Sequence, residues 1–287
     1  MIYKSYAKVN IFLDVVSVYK NGYHGIKSIF LETDLFDTLD YSINETKTIE
    51  VTDKENNLPV DNLLTKAYQA YYRFSNRPKI GIHIDINKKI PIGGGMGGGS
   101  SNAAAILKIL NKQNKNEFSK KELIKIAKTI GADVPYFIQS KTQKVFGYGE
   151  LLSPIKTPMT HLNAIIVIPD EKVPTSDAYK YLDEMKLSCE SYSSKKMFNN
   201  MVTGIQSNNI PLIIHSLYNK FEIPIFKQCP ALFNIKNEML KTGLDAVLMS
   251  GSGSTMMGFA INNEKINKSI DILKGKGYKI QAVSFRF

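Results

Sequence analysis

The chain has 287 residues, 43% hydrophobic and 22% charged, a globular profile long enough to bury a core without covalent staples. Its 37 Lys+Arg against 26 Asp+Glu give a formal charge of +11, which points to anionic partners: nucleic acid, membrane phosphates or a phosphorylated small molecule. Two cysteines, Cys189 and Cys229, exclude a disulfide framework; no histidine spacing suits a metal; the longest apolar run, near Leu162–Pro169, is too short for a bilayer; and Met1–Lys4 starts no signal peptide, so a cytoplasmic protein is expected.

The N-terminus reads as a strand. Ala7, Val9, Ile11 and Leu13 alternate with Lys8, Asn10 and Phe12, which puts Lys8 and Asn10 on the face opposite the apolar one. Asn21-Gly22 then signals a hairpin of type I′, with positive φ at both central residues. Ile80, Ile82, Ile84 and Ile86 mark a strand with one buried face. It leads through Lys88-Lys89-Ile90-Pro91 into Gly93-Gly94-Gly95-Met96-Gly97-Gly98-Gly99-Ser100-Ser101. Ala103, Ile106, Leu107 and Leu110 then follow at helical spacing. After a polar linker, Ser119 and Glu122 form a capping-box pattern for a second helix, with Leu123, Ile126, Ala127 and Ile130 as its stripe and Gly131 as its C′ stop.

The second half reads as a smaller α+β unit. Strands are expected at Leu162–Ile168, Ala246–Met249, Thr255–Ala260 and near Tyr278–Phe287, with helices over Ala231–Lys241 and around Ile266, Ile270 and Leu273. Cys189–Ile210 is polar and poorly patterned, and reads as loop plus weak helix. The prolines at 154 and 158 set the expected boundary between an N-terminal domain, 1–155, and a C-terminal one, 156–287.

A glycine-rich loop between a buried strand and a patterned helix is a phosphate-binding arrangement. Glycines let the backbone approach an anion, and the helix start adds unpaired N–H groups. Ser100 and Ser101 stand where hydroxyls contact phosphate oxygens or a metal, with Lys88 and Lys89 adding charge. The loop is neither a Walker A motif, which needs a following Gly-Lys-Ser/Thr, nor a dinucleotide fingerprint, which needs an acidic residue about 20 positions on. A tight turn or linker is the plain alternative. Asp133 in Gly131-Ala132-Asp133-Val134-Pro135 is by itself an ordinary turn residue.

The run Pro91 to Ala104 closely resembles the glycine loop of the GHMP small-molecule kinases. Ala7-Lys8-Val9-Asn10, Gly22-Tyr23-His24 and Gly131–Pro135 narrow the match to members that act on a cytidine-diphosphate-linked alcohol. Ser250-Gly251-Ser252-Gly253-Ser254-Thr255 is similar to the family's C-terminal motif. The resemblance implies an α+β, two-domain fold with the active site in the interdomain cleft. It implies ATP, with Mg²⁺ held mainly by phosphates and Ser100 or Ser101 and no protein metal site. The phosphate loop would comprise Lys88, Pro91, Gly93, Gly94, Gly95, Gly97, Gly98, Gly99, Ser100 and Ser101. Asp133 would be the catalytic base and Lys8, beside it, would orient the carboxylate and neutralise the γ-phosphate. Asn10, Tyr23, His24, Thr175 and Tyr179 would hold the substrate, diphosphocytidyl methylerythritol, with the two tyrosines on the cytosine. The product would feed non-mevalonate isoprenoid synthesis.

The sequence departs from the pattern at three places. Met96 stands for the usual Leu, Asn21 for Asp, and Gly25 for a larger residue beside the cytosine pocket. The alternatives are another GHMP kinase, acting on homoserine, mevalonate or a sugar, and a basic nucleic-acid-binding protein. The lysines are scattered, and the modest cluster over Lys108–Lys128 reads as the solvated side of two helices, so neither nucleic acid nor membrane is expected as a partner.

Overall fold

The computed structural model describes residues 1–53 and 62–287. It opens with two long strands, β1 (Ile2–Val18) and β2 (His24–Asn44), which pair with each other. Every residue from Ala7 to Val15 is buried, so both faces of β1 are covered, the one carrying Lys8 and Asn10 included. The hairpin between the strands is not type I′. Gly22 has φ +81, but Asn21 is not among the positive-φ residues. Gly22 N–H instead bonds Tyr19 O at 2.9 Å and Tyr19 N–H bonds Tyr23 O at 2.8 Å, a three-residue loop with glycine at its left-handed position.

Next come β3 (Ile49–Asp53), α1 (Leu63–Phe74), β4 (Gly81–Asn87), α2 (Gly98–Gln113), α3 (Lys120–Lys128) and α4 (Val134–Gln139). β4 runs antiparallel to the second half of β2 and parallel to β3, and it buries Ile82, Ile84 and Ile86. The four α2 positions expected at helical spacing are all buried. The Ser119–Glu122 capping box forms. Gly131 does not stop α3, however: Thr129 caps it in right-handed geometry and Gly131 has no positive φ.

The remainder is β5 (Gln143–Phe146), β6 (Leu151–Pro154), β7 (Asn163–Val167), α5 (Thr175–Glu184), α6 (Tyr192–Gln206), α7 (Ile210–His215), β8 (Tyr218–Asn219), α8 (Glu222–Gln228), α9 (Pro230–Lys241), β9 (Ala246–Met249), β10 (Met256–Phe259), α10 (Asn263–Gly275) and β11 (Ile280–Arg286). The first half of β2 continues into an antiparallel order β2-β11-β7-β10-β9. The polar stretch after Cys189 is a 15-residue helix, α6, with its own capping box at Ser191. Its buried stripe is Ser194, Phe198, Met201 and Ile205, helical spacing that opens on a serine and so hides from a hydrophobic pattern.

The described chain forms two compact units that interleave in sequence. The first is Met1–Ala7, Leu35–Ile92 and Gly97–Ser140; the second is Lys8–Asp34, Gly93–Met96 and Lys141–Phe287. Among the described residues no helix is long and apolar enough to cross a membrane.

Candidate active site

The glycine loop is built on alternate left-handed residues. Gly93, Gly95 and Gly97 have φ +73, +75 and +69. Gly97 is the N-cap of α2, a 16-residue helix whose first N–H groups lack intrahelical partners and carry the positive end of its dipole. In the first turn of α2, Ser101 Oγ donates to Tyr6 O at 2.6 Å and lies 2.6 Å from Ser5 Oγ. That hydroxyl ties the helix to β1, which leaves half-buried Ser100 as the more accessible of the two expected serines. Lys88 forms a buried ion pair with Asp37, whose other oxygen accepts from the N–H groups of Lys89 and Ile90, each at 2.8 Å. A Cβ built on Gly98 would lie 3.3 Å from Lys88 Nζ, so this ammonium sits at the helix start with its charge already matched. Pro91 is half-buried between this anchor and the glycines.

In the second unit the loop's first half packs against the β9–β10 turn. A Cβ on Gly95 would lie 2.2 Å from Ser250 O and 3.2 Å from Gly253 O. Asn219 fastens the turn by donating to Met249 O and Gly251 O, each at 2.7 Å. Ser252 Oγ lies 2.9 Å from Thr175 Oγ1, at the first residue of α5. Both neighbours of Gly95 are backbone atoms that cannot swing aside. Gly93 has a similar φ but nothing within 4 Å of an added Cβ. Gly93→Ala therefore meets only the left-handed penalty, roughly 1–2 kcal/mol. Gly95→Ala meets that and the collision, and its Tm should fall below that of Gly93→Ala by about 4 °C or more in calorimetry.

Lys8 sits at the same place. Its N–H donates to Met96 O at 3.0 Å, so β1 holds the loop's backbone. Its side chain is buried, with Nζ 2.8 Å from Asn10 Oδ1 and 4.3 Å above the Phe30 ring. Asn10 Nδ2 donates to Ser28 Oγ at 3.0 Å, and Ser28 Oγ to Phe12 O at 2.5 Å, so the ammonium belongs to a fixed polar chain inside the strands. Asp133 belongs to the first unit. It is half-buried at the N-cap of α4, and its carboxylate makes no capping bond to that helix.

The residues expected around a base divide into two groups. His24 Nε2 is 2.7 Å from Asp183 Oδ1, and its ring stacks on Tyr179 at 4.5 Å with 28° between planes. Tyr179 also meets Phe221 edge-on at 4.9 Å. Burial pushes the Asp183 carboxyl up, and the bonds from His24 and Ser188 outweigh it and hold it below its usual range. Tyr23 stands apart at the exposed hairpin tip, edge-on to Tyr148 at 5.3 Å. The space a larger residue at Gly25 would take is filled: an added Cβ meets Ser17 Oγ at 2.4 Å and the Tyr19 ring at 3.2 Å.

The model of the GHMP kinases N terminal domain matches residues 62–141, and that of the GHMP kinases C terminal domain matches 201–279. A 4-diphosphocytidyl-2-C-methyl-D-erythritol kinase of Caldicellulosiruptor saccharolyticus is 36% identical, covering 96% of this chain and 93% of the relative. The chain belongs to the GHMP kinases, in the family of the 4-diphosphocytidyl-2-C-methyl-D-erythritol kinases. A Clostridium perfringens kinase of the same name is 33% identical over 98% of this chain and 95% of its own length. The crystal structure of a 4-(cytidine 5'-diphospho)-2C-methyl-D-erythritol kinase superposes with TM-score 0.82 at 28% identity, covering all of both chains. Membership makes the chain an ATP-dependent small-molecule kinase.

Two side chains of this GHMP kinase carry site features that sequence reading passes over. Asn102, next to Ser101 in α2, is fully buried, and neither atom of its amide has a hydrogen-bond partner among the described residues. An orphaned buried amide marks a place for water or ligand. Its signal is an Asn directly before the apolar run Ala103-Ala104-Ala105-Ile106. Asp183 is recognisable only as the residue one helical turn beyond Tyr179.

Proposed function

We propose that this kinase transfers the γ-phosphoryl group of ATP to the 2-hydroxyl of 4-diphosphocytidyl-2-C-methyl-D-erythritol, in non-mevalonate isoprenoid precursor synthesis. The observation that carries the reading is similarity, end to end, to kinases of that name. The geometry of the second unit supports it. The Gly95–Ser250 contact, the Ser252–Thr175 contact and the α5 face under His24 form one packed path from a phosphate-type loop to aromatic and hydrogen-bonding groups suited to a base. A substrate with a diphosphate next to a pyrimidine spans such a path.

The substrate's 2-oxygen bonds to the γ-phosphorus as the bond to the β–γ bridging oxygen breaks. ADP leaves, and the hydroxyl proton passes to Asp133. A carboxylate is a weak base for an alcohol, but the transition state is mostly loose, so the proton leaves late and positioning carries most of the catalysis. The N–H groups at the start of α2 and the Lys8 ammonium take up charge on the phosphoryl oxygens. A magnesium ion bound with ATP would further neutralise phosphate charge. The residues fit a nucleotide-borne ion, since Ser100 at the start of α2 offers a half-buried hydroxyl beside the loop. Asn10, Tyr23, His24, Thr175 and Tyr179 hold the substrate, with Tyr23, His24 and Tyr179 at its nucleotide end. The remaining loop contacts come from Lys88, Pro91 and the glycines.

The test is ADP release and product mass with purified protein, ATP–Mg²⁺ and each of the diphosphocytidyl alcohol, homoserine, mevalonate and a sugar. Turnover with any acceptor but the first sinks the reading if the first is not consumed. Stacking on an aromatic face contributes about 1–3 kcal/mol per base, so Tyr23→Ala should raise KM for the cytidine substrate roughly 5- to 100-fold. Its KM for ATP should stay unchanged, and an equal loss for both substrates would contradict the role.

A further inference from the structure

His24 is fixed from two sides by one helix. Tyr179 and Asp183 stand four residues apart on α5 and share a face. Tyr179 sets the plane of the imidazole, and Asp183 sets its rotation in that plane, with Oδ1 at 2.7 Å from Nε2. Ser188 Oγ holds the same carboxylate oxygen at 2.8 Å. The chemistry of this pair determines the tautomer. An ionised carboxylate only accepts, so the proton of the neutral imidazole lies on Nε2, and Nδ1 keeps a bare lone pair. Among the described residues no hydrogen bond reaches Nδ1, although the His24 side chain is only 10% exposed. Nδ1 is not among the fully buried unpartnered atoms, so it is open to a ligand, and the group that matches its lone pair is a donor.

We infer that Asp183 is a specificity-determining positioning residue: by holding the proton on His24 Nε2 it presents Nδ1 as an acceptor that takes the 4-amino group of cytosine and repels the 4-keto oxygen of uracil. This rests on the proposed function, in which the substrate carries a cytidine and His24 faces its base. Cytosine and uracil have almost the same shape, so neither the glycine loop nor aromatic stacking separates them. Discrimination has to come from a hydrogen-bonding group with its polarity fixed, because the wrong base then leaves that group opposed by a like one. A free histidine cannot do this, since either nitrogen can carry the proton. One tied to a carboxylate can.

The experiment compares the diphosphocytidyl substrate with its diphosphouridyl counterpart in the wild type and in Asp183→Asn and Asp183→Ala. Asparagine keeps the size, but its amide can also donate to Nε2, which releases the proton to Nδ1. The wild type should prefer cytidine by about 100-fold or more in kcat/KM, on the scale of a mismatched buried hydrogen bond. Both variants should lose most of that preference, with KM for the cytidine substrate up about tenfold. Their kcat at saturation and KM for ATP should stay within about twofold, as expected for lost ground-state binding. The ¹⁵N spectrum of the ring-labelled wild type, with His24 assigned by its loss in His24→Gln, should show the Nε2–H tautomer. A variant that keeps the wild-type cytidine preference overturns the proposal, as does a fall in kcat with the preference intact or a wild-type Nδ1–H tautomer. A wild type inactive on the cytidine substrate removes the functional reading and this proposal together; an active wild type with unchanged variants removes this proposal alone.

Discussion

Asp133→Asn lowers kcat by about 10²–10⁴-fold, the range for loss of a positioned general base, with both KM values within about threefold of wild type. The substitution is nearly isosteric, so it removes the charge and the proton acceptor while keeping the size of the side chain. The carboxylate makes no capping bond to α4, so the helix does not depend on its charge for an N-cap. Thermal melts of the variant, read beside its kinetics, separate a loss of turnover from a loss of folding. Single-turnover kinetics with both substrates saturating would show this directly. Near-normal turnover in a folded variant would remove Asp133 from the chemistry, and a rise in KM with kcat preserved would make it a binding residue instead.

Lys8→Met should lower kcat by about 10²–10³-fold, as for removal of one preorganised donor facing developing charge. Methionine keeps an unbranched apolar stem over Phe30, where the ammonium now lies 4.3 Å from the ring centre, so packing is largely retained. A buried ammonium, held out of water by β1 and β2, interacts with a phosphoryl group far more strongly than a solvated one does. Charge on the transferred group and the leaving group shifts as the reaction proceeds, which is why the effect belongs in kcat. Asn10 and Ser28 keep their mutual bond in the variant, which limits the local disturbance. A variant with unchanged kcat and a raised KM for ATP alone would assign Lys8 to nucleotide binding.

Much of the fold can be read from short-range pattern. The α2 stripe, the α3 capping box and the β9 bounds follow from the spacing of residues a few positions apart. What stays hidden depends on polar residues that are buried. β2 encloses Ser28, Glu32, Thr33 and Asp37, which break any apolar alternation, and α6 begins its buried stripe with Ser194. The candidate site divides in the same way. The glycine loop, Lys8, Asp133 and His24 are legible because resemblance fixes them at known places along the chain. The partners that set their state are not: Asp37 for Lys88, Tyr6 for Ser101 and Asp183 for His24 lie 51, 95 and 159 residues away. Such pairings come from strand order and helix docking, which local spacing does not encode. β1 and β2 also thread both compact units, an arrangement no change of composition along the chain announces.

The contact of Gly95 with the Ser250 carbonyl limits how this enzyme could be rebuilt. The two segments are 155 residues apart in sequence, yet their backbones meet with no space for a single carbon between them. A glycine loop transplanted from a related kinase would arrive without the turn it was shaped against. Chimeras exchanging residues 91–101 alone should therefore be poorly folded, while those exchanging 91–101 together with 246–259 keep the matched surfaces. The loop and the distant turn form one heritable part encoded in two places.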